Sequence, residues 1–325
     1  MNIIFMGTPD FASPTLSAIL STGHKVSAVV TQPDKPSGRG RILTMPPVKV
    51  LAEANKIPVF QPDKIKNAEF VQLLKEFSPD VIVVVAYGKI LPKEILNLPT
   101  SGCINVHASL LPKLRGAGPI QWSLINGETK TGITIMKMDE GMDTGEIIMQ
   151  EELEILEDDD TTLLSNALSV IGATLLVNVL NKLEKDGKID SQKQDNSQAT
   201  YAPMLKKGDG KINWMEHVDK IYNLIRGVTP NPGAYTTLDS QAIKILKASP
   251  YDYAIPPITD KQIKERSEIP RYPGEILSVI KGKGIVVRTG SGGLLIETIQ
   301  PSSKPAMTGE SFINGRFARI GSKFQ

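Results

Sequence analysis

The stretch Asn105-Val106-His107-Ala108-Ser109-Leu110-Leu111-Pro112 places a side-chain amide, an imidazole and a hydroxyl at alternate positions. On an extended chain, alternation puts Asn105, His107 and Ser109 on one side. Donors converging in this way can stabilise a developing oxyanion, and an imidazole can carry a proton. A second cluster, Met138-Asp139-Glu140-Gly141-Met142-Asp143-Thr144-Gly145, offers three carboxylates in a loop whose glycines permit a tight path. Acidic loops are mostly just solvated, but the interleaved Met138 and Met142 point to one carboxylate turned inward as a general base. Spacing leaves open whether that group is Asp139, Glu140 or Asp143.

A third feature is the loop from Gln32 to Lys49, which carries Lys35, Arg39, Arg41 and Lys49 against Asp34 alone. Its prolines and glycines predict no regular structure, and it is far longer than the ~2–6 residues usual between α/β elements. Its cations could contact phosphates.

Other chemistry is excluded by what these segments lack. The first turn reads Gly7-Thr8-Pro9-Asp10-Phe11-Ala12, without the three glycines of a dinucleotide fingerprint, and no phosphate-binding GxxxxGK[ST] follows. Ser109 is not in a GxSxG elbow, so a hydrolytic triad is disfavoured. Cys103 stands alone beside His24, His107 and His217, too few ligands for the usual zinc sites, and the acidic loop lacks a spaced carboxylate ligand pattern. No metal is expected.

These clusters need elements to position them. Asn2–Met6, Lys25–Thr31, Asp80–Ala86 and Cys103–Val106 read as strands, with Thr131–Met136 as another. Asp80–Ala86 is a β-branched run of the kind buried on both faces of a parallel sheet. Helical patterns follow Gly7 and cover Phe70–Phe77, so strands and helices alternate in a doubly wound, mainly parallel α/β domain. In such sheets ligands bind at the carboxyl ends of strands, where the Asn105 cluster emerges. Thr161–Lys185 reads as one long amphipathic helix with Thr161 as N-cap, closing a domain over residues 1–189. Residues 190–209 are polar and aperiodic, a linker by composition. Beyond them a helix around Trp214–Arg226 precedes short strand-like runs at Ala234–Thr237, Ala242–Leu246, Gly274–Ile280, Gly284–Thr289 and Gly293–Thr298. Together they predict a smaller, OB-like antiparallel β-barrel over residues 210–325.

With 325 residues the chain is about twice the ~150 expected of one domain, and 40% hydrophobic with 22% charged residues is ordinary for a globular protein. No run approaches the ~18 consecutive apolar residues of a membrane span, and no secretory leader is evident. The net charge of +2 conceals an asymmetry: residues 1–205 hold 19 Lys+Arg against 24 Asp+Glu, and residues 206–325 hold 18 against 11. The basic second part fits a polyanionic partner.

Asn105–Leu124 (NVHASLLPKLRGAGPIQWSL) together with Met138–Gly145 (MDEGMDTG) resembles the signature of the 10-formyltetrahydrofolate-dependent formyltransferases. The opening IIFMGTPDFA, the loop TQPDKPSGRG, the strand VVVAYGKILP and the later TYAPML resemble the branch of that family acting on methionyl-tRNA, and the similarity runs along essentially the whole chain. The resemblance implies formyl transfer to the α-amino group of methionyl-initiator tRNA, giving formylmethionyl-tRNA for translation initiation. It implies that Asn105, His107 and Asp143 are catalytic, choosing Asp143 from the acidic loop. It further implies tetrahydrofolate contacts along Ser109, Leu110, Leu111 and Pro112. In this reading an N–H of His107 joins the Asn105 amide at the oxyanion, and Arg39, Arg41 and Lys49 meet the tRNA alongside the C-terminal domain. The expected setting is a cytoplasmic monomer with folate and tRNA as its partners and no membrane attachment. Departures are mild: Ala108 where the family often has Gly, Gly118 where it often has Ala, and Val228–Pro232 in place of an aromatic-containing stretch.

Overall fold

In the computed structural model, which describes residues 1–37, 40, 42–251 and 272–325, the chain divides into two units. The first comprises residues 1–120, 130–155 and 163–204; the second comprises residues 121–129, 156–162 and 205–325. Residues 190–209 are therefore shared, those through Met204 lying in the first unit and those from Leu205 in the second.

The first unit is built on strands β1 (Asn2–Gly7), β2 (Lys25–Val30), β5 (Val59–Phe60), β6 (Val81–Val85), β7 (Cys103–His107), β8 (Lys130–Lys137) and β9 (Ile147–Glu154). They form one sheet in the order β5-β2-β1-β6-β7-β8-β9. The strands from β5 to β7 are parallel, and β8 and β9 are added antiparallel. The chain runs outward from β1 through β2 to β5, then crosses to β6 on the other side of β1. That reversal opens a crevice at the strands' carboxyl ends. β6 (VIVVV) is buried at every position, because helices cover both faces and apolar β-branched side chains fill each pleat.

On one face Ile4, Met6, Ile82, Val84 and Cys103 pack with Phe70 and Leu74 of a helix over Ala68–Glu76. On the other lies the long helix Thr161–Asp186, where Gly172 comes so close to Val106 that an added Cβ would sit 2.9 Å from its Cγ1. That helix is long and apolar enough by composition to cross a membrane, but half of its most apolar window is buried inside the protein, as in a core helix. Asp160, and not Thr161, caps its start: the Asp160 carboxylate accepts from the Thr162 amide at 2.8 Å. Thr161 Oγ1 instead donates to the Gly227 carbonyl at 2.7 Å. The acidic Glu151–Glu154 forms half of the edge strand β9. Charged side chains on an edge discourage further strand pairing. Burial pushes the lone thiol, Cys103, up to about 12, which disfavours the reactive thiolate.

The loop Gln32–Lys49 is partly regular, contrary to the expectation from its prolines. Lys35–Ser37 (β3) pairs antiparallel with Ile42–Thr44 (β4), and a helix begins at Pro47, where a missing N–H costs nothing.

In the second unit, a helix (Val218–Val228) buries Ile221, Ile225 and Val228 against an antiparallel sheet. The sheet consists of β10 (Ala234–Leu238), β11 (Gln241–Tyr251), β12 (Ile276–Ile280), β13 (Gly284–Arg288), β14 (Gly293–Pro301) and β15 (Met307–Thr308), in the order β10-β11-β14-β13-β12 with β15 on β14. The C-terminal residues bridge the two edges. The Thr237 amide donates to the Gln325 carbonyl at 3.1 Å, the Phe324 amide to Gly274 at 2.9 Å, and the Ile276 amide to Ser322 at 2.9 Å. The Phe324 ring anchors this tail by stacking on Trp214 at 5.6 Å between centroids, while the Trp214 indole N–H donates to Thr236 at 2.9 Å. Among the described residues the two edges are thus joined by the chain's last residues.

Candidate active site

β7 alternates between the two faces of its sheet. Cys103 joins the core on the face of helix Ala68–Glu76 and Val106 meets the long helix, so Asn105 and His107 share the Cys103 face. Asn105 lies opposite Val84 in β6, and His107 reaches beyond that pairing at the carboxyl end of the strand. Both are buried, Asn105 at 9% exposure and His107 at 5%. The Asn105 amide makes no hydrogen bond among the described residues, yet it keeps a little contact with solvent. A buried amide without a protein partner is suited to donate to something bound.

His107 is fixed on both sides. Nε2 lies 3.1 Å from the Leu114 carbonyl, which can only accept, so Nε2 carries the hydrogen. Nδ1 then faces Asp143 Oδ1 at 3.7 Å. The expected His107 N–H toward an oxyanion is not what this geometry offers: the Nε2 hydrogen points to the Leu114 carbonyl, and Nδ1 only faces Asp143. The Nδ1 to Asp143 gap exceeds direct hydrogen-bond reach.

Tertiary structure also separates the three carboxylates. Asp139 is exposed and folds the loop, accepting from the Gly141 amide at 3.0 Å and the Thr144 hydroxyl at 2.7 Å. Glu140 pairs with Lys93 at 3.1 Å on the surface, both side chains being 68% exposed. Asp143 turns inward to 18% side-chain exposure, and its Oδ2 accepts from the Gly116 amide at 2.8 Å. The interleaved methionines do not drive this turn, since Met142 is itself exposed. Asp143 adopts φ +55°, a left-handed conformation costing on the order of 1–2 kcal/mol for a non-glycine residue. Gly116 has φ +120°, and a Cβ there would lie 2.7 Å from the Ala202 carbonyl, so only glycine brings this amide to the carboxylate.

Ser109 does not join Asn105 and His107. The strand ends at His107, so alternation no longer applies, and the fully buried Ser109 hydroxyl donates to the Lys113 carbonyl at 2.6 Å. Thr134, opposite His107 in β8, ties the next residues down: its hydroxyl donates to the Ser109 carbonyl at 2.6 Å and accepts from the Leu111 amide at 3.1 Å. The Gln150 amide adds a bond to the Leu111 carbonyl at 2.9 Å. Leu111 is buried, which leaves the half-buried Leu110 and Pro112 as the side chains available to a ligand.

Arg39 and Arg41 lie outside the described residues. Lys49 is largely covered and is committed to Asp34 at 2.9 Å and Gln61 at 2.8 Å. The Gln61 amide, and after it the Lys49 ammonium, hold the Asp34 carboxyl below the usual carboxylate range. These contacts anchor the base of the loop and leave Lys49 little free charge.

A buried amide donor with an imidazole and carboxylate beside it, on a doubly wound sheet, is the equipment of an acyl-type group transfer. The formyl transferase family model matches residues 1–180 and that of the formyl transferase C-terminal domain matches residues 204–316; the chain belongs to the formyl transferase family. Its relatives include the methionyl-tRNA formyltransferases of Geobacter metallireducens, 48% identical over 97% of this chain and 96% of that one, and of Thermodesulfovibrio yellowstonii, 47% identical over the same shares. Among solved structures, HypX from Aquifex aeolicus in complex with tetrahydrofolic acid superposes with a TM-score of 0.66 at 14% identity, over 99% of this chain. This chain spans about half of that one, 48% of its length.

Proposed function

We propose that this chain transfers the formyl group of 10-formyltetrahydrofolate to the α-amino group of methionyl-initiator tRNA, producing formylmethionyl-tRNA. The observation that carries the reading is the Asn105 amide, without a hydrogen-bond partner among the described residues, beside the His107 and Asp143 pair. Relatives named for this activity at 48% and 47% identity over nearly the whole chain support the choice of substrates. Leu110 and Pro112, on a main chain held in place by Thr134 and Gln150, offer apolar surface suited to a pterin.

In the reaction the free α-amine attacks the formyl carbon, a new N–C bond forms, and the carbonyl electrons move onto oxygen. Asn105 donates to that oxyanion, a contact worth ~2.7–4 kcal/mol. The amine, with an ordinary pKa of ~8, loses its proton as the bond forms. Asp143, with His107 beside it, accepts that proton. The carbonyl then re-forms, the bond to N10 of the folate breaks, and N10 leaves with a proton. Acting on an aminoacylated tRNA sets the work in the cytoplasm.

The direct test follows formyl transfer from 10-formyltetrahydrofolate to methionyl-tRNA, free methionine, a small amino sugar and water. The tRNA is expected to be the preferred acceptor by orders of magnitude in kcat/KM. Equal turnover with a small amine, or release of formate to water, overturns the reading.

On the tRNA side the proposal assigns phosphate contacts to Arg39 and Arg41, with Lys49 holding the loop's base and the basic C-terminal unit offering a second surface. KM for methionyl-tRNA should rise with salt, and Arg39→Ala or Arg41→Ala should each lower the slope of log KM against log salt by about 1. Folate KM should stay within about twofold, because each substitution removes a phosphate-binding cation from a loop distant in sequence from Ser109–Pro112. If both variants keep the parent's slope, the loop plays no part in binding.

A further inference from the structure

Arg115 is a buried guanidinium, 3% exposed, and its side-chain partners among the described residues are neutral amide oxygens. A charge so placed is costly unless polar groups are arranged around it. Here the arrangement comes from residues 194 and 196, which composition alone reads as linker. Arg115 Nε and Nη2 donate to Gln194 Oε1 at 3.1 and 2.7 Å, and Nη2 also donates to Asn196 Oδ1 at 2.7 Å. With its oxygen held, the Gln194 amide group has one orientation. Its Nε2 donates to the Asp143 carbonyl at 2.8 Å and to the Gly145 carbonyl at 2.7 Å.

The same short chain segment serves the other side of the site. The Arg115 amide donates to the Thr200 carbonyl at 2.9 Å, the Ala202 amide to the Arg115 carbonyl at 2.7 Å, and the Leu114 amide to Thr200 Oγ1 at 2.9 Å. Leu114 supplies the carbonyl that holds His107, and Gly116 supplies the amide that holds Asp143. Arg115 therefore lies between the two backbone groups that orient the pair, and through Gln194 it reaches the backbone of Asp143 itself.

We propose that Gln194, oriented by the buried Arg115, is a positioning residue for the formyl transfer. It clamps the left-handed turn at Asp143 so that one carboxylate oxygen stays on Gly116 and the other faces His107. Neither residue needs to touch a substrate. This inference rests on the proposed reaction for its kinetic consequence but not for its structural one, and the test separates the two.

The experiment compares the full-length parent with Gln194→Met, Gln194→Glu and Arg115→Lys. Gln194→Met keeps the length and removes both donated bonds; Gln194→Glu keeps the contact with Arg115 while losing the donors, and stands in should the first variant fold poorly. Three quantities are read: kcat and KM for each substrate, the pH profile of kcat/KM, and amide hydrogen exchange at Gly116. The expected result is a kcat lower by about 10- to 100-fold with both KM values within about twofold, the scale on which misplacing a catalytic group acts. The pH profile should shift, since the pair that moves the proton is loosened, and the Gly116 amide should exchange faster while the core strand β6 stays protected. Arg115→Lys, which keeps the charge and loses the fork, should move the same readouts in the same direction. Parental kcat, an unshifted pH profile or unchanged Gly116 exchange overturns the proposal, as does a loss of protection that spreads equally over β6. Should the parent itself fail to formylate methionyl-tRNA, the proposed function falls, and the Gly116 exchange still decides whether Gln194 holds Asp143.

Discussion

Asn105→Asp lowers kcat by at least ~10²-fold while the protein stays folded. The substitution keeps the shape of the side chain but replaces its N–H donors with a carboxylate. In the parent the amide has no partner among the described residues, so no internal hydrogen bond is broken by the change. What is lost is a donor to charge that appears only as the amine adds to the formyl carbon. A neutral formyl oxygen is a weaker acceptor than the oxyanion, so KM should move far less than kcat. The partial burial of the site, with Asn105 at 9% exposure, keeps water from substituting for the missing donor. Asn105→Ala serves as the companion, since it removes the donor without adding charge, and should retain more activity than the aspartate. Steady-state kinetics at saturating folate, with a thermal melt of each variant, checks the expectation. A folded Asn105→Asp enzyme with near-parental kcat removes Asn105 from the chemistry.

The second large effect belongs to the His107 and Asp143 pair. Asp143→Asn and His107→Ala should each lower kcat by ~10²–10⁴-fold, the usual range for a positioned acid or base. The double variant should be little worse than the poorer single one, because the two act on one proton. Asparagine can still accept from the Gly116 amide at position 143, so that variant keeps the loop's hydrogen bond and loses only the base. His107→Ala has a further cost: it strands the buried Leu114 carbonyl, worth ~1–3 kcal/mol of stability, and a thermal melt must accompany its kinetics. A double-mutant cycle with independent, multiplicative losses would show that the two residues do not share the proton.

Much of the first unit could be read along the chain. The β-branched run within Asp80–Ala86, the strand begun at Cys103, which runs one residue past the expected Val106, and the common face of Asn105 and His107 all follow from patterns between neighbours, which a backbone enforces over a few residues. The path taken after a strand ends is another matter, and this is why Ser109, matched in parity to His107, turns away to Lys113. The prolines of the loop Gln32–Lys49 concealed a short antiparallel strand pair, since an edge pair of three residues tolerates proline where a central strand would not.

The sequence by itself determined the alternation of elements, the burial of β6 on both faces, the pairing of an amide with an imidazole at a strand's carboxyl end, and the basic bias of the second half. Only the tertiary structure chose Asp143 from three neighbouring carboxylates on physical grounds, since that choice depends on the Gly116 amide 27 residues away. It likewise withdrew Lys49 into an ion pair with Asp34, gave the His107 ring its Leu114 partner, and brought Gln194 back across 51 residues to the Asp143 turn. Composition marks residues 190–209 only as polar, and a glutamine in such a stretch looks like any other. The reason is one of range: periodicity and propensity are written between residues a turn or a pleat apart, whereas a buried donor finds its acceptor through strand order and loop closure, which no local window contains.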